Sequence, residues 1–313
     1  PITTEQEIES SFDRITYDKG EAVLRMIERS LGPDVFQRGV RAYLAKHAWG
    51  NATYDDFVGA MTEAAGKDAK PLFDSFVKQS GVPLVEMKLA CEKGKPPTLA
   101  LAQRRYAPTG SKIDPKRTWT LPVCVRWGAG TKTGRDCTEL AAPTGELALS
   151  APACPEWIAP NEGGNGYYRS QLEPTLLAKL LSRARKALSI GERVGLIGDV
   201  GALVENGTVG KGVALALVAD LAKDPSRHIV DASIGIVAGI DEMIGDKLRP
   251  NYQRFIRKLY LARAKQLGWQ SKPGEGPDAK ELRPELLSLV AGEGNDPALV
   301  AEASKLARKW LDD

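Results

Sequence analysis

Four apolar stripes at helical spacing open the chain. Ala22, Val23, Met26, Ile27 and Leu31 form the first, and Val35, Phe36, Val40, Tyr43 and Leu44 the second; Phe57 and Met61 mark a third, and Leu72, Phe73 and Phe76 a fourth. The residues between them are of the kind that end and begin helices: Gly32-Pro33 at a junction, Thr53 with Asp56 as a cap, and Gly81-Val82-Pro83 as a stop. Asp18 and Glu21 have the separation of a capping box, which predicts a first helix starting at Asp18, directly after Tyr17. Four short helices of this kind are expected to pack on one another and to leave apolar surface for a body they do not supply.

From residue 84 the period falls to two. Val85, Met87, Leu89 and Cys91 alternate with Glu86, Lys88 and Ala90, as in a strand with one buried face. Short runs at 98–106, 118–127, 134–140, 146–149, 156–160 and 166–172 follow, separated by Gly, Pro and Asn, and together they predict a small antiparallel β-sandwich. After residue 173 helical spacing returns through Leu176-Leu177-Leu180-Leu181, Val194-Leu196-Ile197-Val200-Leu203, Val213-Leu215-Leu217-Val218-Leu221, Phe255-Ile256-Leu259-Tyr260 and a last helix from Leu299 to Leu311. Helix pairs of this kind stack into an all-α, HEAT-like solenoid, although no strict period is present. The expected architecture is therefore multidomain α+β, with helices over 1–82, a β-sandwich over 83–172 and a solenoid over 173–313.

Composition narrows the partners. The chain has 313 residues, 42% of them hydrophobic, enough for two or three packed domains. Its 43 basic and 40 acidic residues leave a net charge of +3, too small a field to recruit nucleic acid or an anionic membrane. No stretch approaches the roughly 18 apolar residues of a membrane helix, and no signal peptide is visible at Pro1.

Tyr17 lies in Phe12-Asp13-Arg14-Ile15-Thr16-Tyr17-Asp18-Lys19-Gly20-Glu21-Ala22-Val23-Leu24-Arg25-Met26. That stretch is followed, in order, by Asn51-Ala52-Thr53, Gln79-Ser80-Gly81-Val82-Pro83, Leu101-Ala102-Gln103-Arg104-Arg105-Tyr106, Trp119-Thr120-Leu121-Pro122-Val123 and Asn165-Gly166-Tyr167-Tyr168-Arg169. The series resembles the M1 family of zinc aminopeptidases over essentially the whole chain. The resemblance implies that residues 1–82 are the helical end of a thermolysin-like catalytic domain, followed by the family's β-sandwich and C-terminal helical domain. A sandwich argues against the leukotriene-hydrolase branch, which lacks one. The resemblance also implies a role for Tyr17: its hydroxyl helps to stabilise the oxyanion formed when metal-activated water attacks a peptide carbonyl. Judged by residue type alone, a tyrosine at a helix start is more often structural. Asp18 and Lys19 read as a cap and a solvated charge, and Gly20 as a site of close helix packing.

The family's His-Glu-x-x-His zinc motif and its Gly-x-Met-x-Asn amine gateway are both missing, and the chain's only histidines, His47 and His228, lack the i, i+4 spacing of a helical zinc site. The expectation is a C-terminal fragment of an aminopeptidase. Zinc would belong to the parent enzyme, this chain would bind none and be inactive alone, and its partners would be the missing N-terminal catalytic region and, through the parent, peptide substrates. Because the family's helical domain usually runs longer, truncation after Asp313 is expected as well. The alternative is a non-catalytic M1-like scaffold or a peptide-binding or protein-binding helical-repeat module. Basic groups of the helical domain in M1 enzymes can receive a substrate's C-terminal end, but no motif selects any here.

All four cysteines, Cys91, Cys124, Cys137 and Cys154, fall within the expected sandwich, with no Cys-x-x-Cys pair. Cys124 and Cys137 sit symmetrically about a Gly-rich turn, so in a hairpin they would face each other at a distance that a disulfide spans. Cys91 with Cys154 would be the remaining bridge. Two disulfides would imply a periplasmic or secreted parent; four reduced, buried thiols are the other reading and would suit a cytoplasmic one. The Gly-rich runs at 195–201 and 207–212 fail the spacing of nucleotide loops and read as close helix approaches. The sequons Asn51-Ala52-Thr53 and Asn206-Gly207-Thr208 read as a helix cap and a turn.

Overall fold

The structure is a computed structural model that describes residue 4, residues 15–181 and residues 187–312. The beginning of the Phe12-to-Met26 stretch, before Ile15, lies outside the described residues. The chain divides into two compact units, Pro1–Gly195 and Leu196–Asp313.

The first unit begins with a π-helical turn, Ile15–Lys19, that runs into α1 (Gly20–Leu31). The chain reverses at Gly32, whose φ of 92° is open to glycine, and Pro33 starts α2 (Pro33–Lys46). Helix α3 (Tyr54–Ala65) carries the expected cap: Thr53 Oγ1 accepts from the Asp56 N–H, and the Asp56 carboxylate accepts from the Thr53 N–H. Helix α4 (Lys70–Val77) buries Leu72, Phe73 and Phe76. Phe57 stands edge-on to Phe36, Tyr43 and Phe73, which joins three of the predicted stripes into one aromatic core.

Seven strands follow in two sheets: β1 (Pro83–Ala90), β2 (Thr98–Arg105), β3 (Leu121–Ala129), β4 (Lys132–Leu140), β5 (Thr144–Ala148), β6 (Trp157–Ala159) and β7 (Arg169–Leu172). One sheet has the order β5-β2-β1-β7 and the other β4-β3-β6. Gln103 links them, because its buried amide donates to the Trp119 carbonyl at 2.8 Å and to the Leu140 carbonyl at 3.1 Å while its Oε1 accepts from the Trp119 N–H at 2.9 Å. The expectation of purely antiparallel strands needs correction, since β7 runs parallel to β1, Leu84 lying opposite Arg169. Antiparallel order is dictated by tight hairpins, whereas β7 reaches the free edge of β1 only after the chain has crossed to the other sheet and back. Alternation along β1 is also incomplete: Leu84, Val85 and Met87 are all buried, and exposure rises toward Ala90.

Strands β3 and β4 form a two-residue hairpin whose Gly130 has φ 59°, and Cys124 lies directly opposite Cys137. Gly134 on β4 is required by close approach, since a Cβ there would fall 2.2 Å from the Trp127 ring. That indole donates to the Asp136 carboxylate at 2.6 Å.

After α5 (Pro174–Lys179) and α6 (Ile190–Glu205), the second unit contains α7 (Lys211–Leu221), α8 (Arg227–Ala238), α9 (Arg249–Leu267), α10 (Pro277–Leu287), a π-helical segment Ser288–Glu293 and α11 (Pro297–Asp312). Its core joins Val230, Ile234 and Val237 of α8 to Ile256 and Tyr260 of α9 and Leu286 of α10. Inside it the Tyr260 hydroxyl bonds Ser233 Oγ at 2.8 Å, and Ser233 in turn donates to the Val230 carbonyl. Four of the glycines of 195–212 do not mediate the expected close helix approach: a Cβ at Gly195, Gly201, Gly210 or Gly212 would meet nothing within 4 Å. Asn206 forms the expected turn, its side chain accepting from the Thr208 N–H at 3.0 Å. Among the described residues no helix is long and apolar enough to cross a membrane.

Candidate functional site

Tyr17 occupies the middle of the π-helical turn below α1, and its side chain is 61% exposed. The predicted capping box at Asp18 does not form. Lys19, which precedes α1, is itself helical, and no side-chain cap bond is present there. The reason is local: the turn before α1 already supplies carbonyl acceptors, so the first N–H groups of α1 are not the orphan donors that a cap would satisfy. Lys19 is also not simply solvated; its ammonium donates to the Gln79 carbonyl at 3.1 Å, and burial lowers its pKa. Gly20 makes no close packing, since a Cβ there would meet nothing within 4 Å.

The rest of α1 is fixed from behind. Arg29 donates two hydrogen bonds to the Glu162 carboxylate, at 3.2 and 2.6 Å, and the Tyr167 N–H donates to Met26 Sδ at 3.3 Å. Burial disfavours the Glu162 carboxylate, but Arg29 and Arg135 outweigh it and hold the group below its usual range. The turn containing Glu162 is locked in its own right. Asn161 and Gly166 exchange two hydrogen bonds, at 2.9 and 2.8 Å, and the Tyr168 hydroxyl donates to the Pro160 carbonyl at 2.8 Å. Tyr167 stands edge-on to Phe76, which in turn packs on Trp119. The Gln79 amide donates to the Thr118 carbonyl at 3.0 Å. Segments scattered over the sequence, Gln79–Pro83, Leu101–Tyr106, Trp119–Val123 and Asn165–Arg169, thus converge into one frame that supports the helix bearing Tyr17. Sequence reasoning missed the Arg29–Glu162–Arg135 cluster, because Arg29 lies more than a hundred positions from the other two and none of the three carries a motif.

The predicted apolar surface of the opening helices exists as a groove of about 460 Å³ lined by Val23, Leu24, Phe57, Phe73, Phe76 and Val77.

The two histidines stay apart. His47, against the Tyr43 ring, has Nε2 3.7 Å from the Asp56 carboxylate, and His228 is exposed on α8. Among the described residues no group of three or more His, Cys, Asp or Glu is placed to hold a metal ion.

The cysteines fall into two pairs, Cys91 with Cys154 at a Cα separation of 5.6 Å and Cys124 with Cys137 at 4.1 Å, with sulfurs 2.07 and 2.10 Å apart. The burial expected with four reduced thiols is absent. Cys91, Cys137 and Cys154 are exposed and Cys124 is half-buried, because they lie beyond strand ends or on the outward face of the hairpin.

Residues 1–76 match the family model "Peptidase family M1 domain", and residues 157–313 match "ERAP1-like C-terminal domain". Similar proteins include Aminopeptidase 2 of Candida albicans, 28% identical over 99% of this chain and 33% of that protein. Puromycin-sensitive aminopeptidase of Caenorhabditis elegans is 28% identical over 95% of this chain and 32% of its own length. Aminopeptidase M1 of Arabidopsis thaliana is 29% identical over 94% and 34% respectively. By class, then, the chain is a relative of aminopeptidases, hydrolases of peptide bonds, built from helices and two small sheets. With half of its length matched by the ERAP1-like model and its start by the M1 model, it belongs to the M1 aminopeptidase family. It spans about a third of the length of the curated relatives it matches.

Proposed function

We propose that this chain is the C-terminal portion of a zinc-dependent M1 aminopeptidase, and that Tyr17 donates a hydrogen bond to the oxyanion formed at the peptide carbonyl of a substrate's N-terminal residue. On this reading residues 1–82 end a thermolysin-like catalytic domain, 83–172 are its β-sandwich and 173–313 its helical solenoid. The observation that carries the proposal is the coincidence of the M1 match over residues 1–76 with a phenol left exposed on a helix that a hydrogen-bonded frame holds in place. A phenolic O–H on a rigid support suits charge stabilisation, because it is already oriented when the negative charge develops. The zinc ion belongs to residues outside this chain, and the chain alone is inactive. The paired cysteines support a periplasmic or secreted parent.

The test is Tyr17→Phe in the longer enzyme that carries this chain. Turnover should fall by about 10²–10³, the scale of losing one oxyanion donor, with KM and thermal stability nearly unchanged. Turnover within a factor of about three of the unmodified enzyme would remove the assigned role, since that is far below the loss of such a donor. The isolated chain should release no product from an aminoacyl-nitroanilide after metal repletion, and product formation would refute its inactivity.

A further inference from the structure

The two cysteine pairs differ in what surrounds them. On β3 the inward residues are Leu121, Val123, Val125 and Trp127, so Cys124 points away from the core, as does Cys137 opposite it. The hairpin register runs from Leu121–Leu140 to Ala129–Lys132 without relying on the sulfur bridge. The bond between Cys124 and Cys137 can therefore open without breaching the core. One cation is trained on it: Arg135, two residues before Cys137 on β4, donates from its guanidinium to Cys124 Sγ at 3.5 Å. Glu162 orients that guanidinium from 3.5 Å. At the other pair, the neighbouring Lys95 is engaged with Glu92.

We propose that Cys124–Cys137 is a thiol–disulfide exchange site for a dithiol reductant, with Cys137 the attacked sulfur, Cys124 the leaving sulfur and Arg135 a positioning residue for the departing thiolate. The proposal rests on the reading that these cysteines are bonded to each other. The reductant's thiolate attacks the exposed Cys137 Sγ; a mixed disulfide forms as the Cys124–Cys137 bond breaks, and the electron pair leaves on Cys124. The reductant's second thiolate then attacks its own sulfur in the mixed disulfide and releases Cys137. Two electrons have passed from the dithiol, which ends as a disulfide, and its two protons serve the two product thiols. A leaving thiolate of lower pKa departs faster, and an adjacent guanidinium lowers that pKa. Exposure of Cys137 gives access to the sulfur that must be attacked.

The experiment uses the purified chain and dithiothreitol as the probe. Thiols are first counted under denaturing, non-reducing conditions. Four free thiols would overturn the disulfide reading and this proposal together, whereas none would leave the rate comparison to decide the proposal alone. The protein is then exposed to limiting dithiothreitol, quenched with iodoacetamide at intervals and mapped by peptide mass. Cys124 and Cys137 should be labelled about threefold faster than Cys91 and Cys154, and Arg135→Gln should remove most of that difference, with most of the rate restored by Arg135→Lys. The second pair serves as an internal clock, because a variant that merely loosens the fold would accelerate both. Equal rates for the two pairs, or an Arg135→Gln rate that matches the unmodified protein, would overturn the proposal.

Discussion

Removing the Cys91–Cys154 bridge by paired serine substitution should destabilise the first unit more than removing Cys124–Cys137, and the margin follows from chain statistics. The two bonds close segments with sequence separations of 63 and 13 residues. Loop-closure entropy in the unfolded chain then favours the longer crosslink by about 1.4 kcal/mol, with totals of about 4 and about 3 kcal/mol. With a urea dependence of about 2 kcal/mol per molar, losing the long bridge lowers the unfolding midpoint by about 2 M. The short bridge should cost less than its total, because its hairpin is already held by a continuous ladder and by the Trp127–Asp136 bond. The assay is urea unfolding read locally, by hydrogen exchange of amides in β1 and β3, so that the helical second unit does not blur the transition. A midpoint that falls equally for both double variants, or more for Cys124→Ser with Cys137→Ser, would refute the loop-closure argument.

Two other outcomes are expected from single residues. Thr53→Ala should destabilise α3 by about 1 kcal/mol, since it removes the acceptor for the Asp56 N–H while leaving every core contact in place; thermal or urea unfolding of the variant checks it. Tyr260 is buried beside Ser233, and burial pushes its pKa up to about 12. A phenol whose folded pKa is raised contributes stability that is whole below its unfolded pKa of about 10 and is lost as pH rises toward the folded value, so the second unit should weaken between about pH 10 and 12, by roughly 2–3 kcal/mol in all. Tyr260→Phe should remove that share of the slope and leave the part due to Tyr252, whose pKa burial and the Glu293 carboxylate also raise; an unchanged slope would assign all of it to other groups.

The periodic parts of the chain were legible, and the long-range parts were not. The stripes of the opening helices, the Thr53–Asp56 cap and the facing of Cys124 and Cys137 across a Gly-rich turn depend on neighbours within a dozen or so residues, where spacing and side-chain chemistry act directly. The start of the first helix was misread because a capping pattern at Asp18 and Glu21 cannot reveal that helical backbone has already begun at Ile15. The parallel pairing of β7 with β1 was hidden for a different reason: strand period reports which face is buried and is silent on direction. For the candidate site, Tyr17 is singled out only by the resemblance of its surroundings. The groups that hold its helix, Arg29, Glu162 and Asn161, carry no local signature.

Asn165–Arg169 and Gln79–Pro83 contain polar groups that would look catalytic in a sequence, yet the Gln79 and Asn165 amides and the Tyr168 hydroxyl donate to backbone carbonyls. Tyr17 keeps its ring exposed, while the helix above it and the turn that carries it are pinned by an ion pair, a sulfur contact and a lysine bond. Rigid support beneath an exposed ring suits the charge stabilisation proposed for it. The frame therefore predicts that damage to it and damage to the phenol part company in kinetics. Glu162→Gln weakens the hold of Arg29 on α1 and should lower turnover in the longer enzyme together with stability, whereas Tyr17→Phe should lower turnover alone. If Glu162→Gln destabilised the protein while turnover at low temperature stayed normal, the frame would be a folding device with no part in positioning the tyrosine.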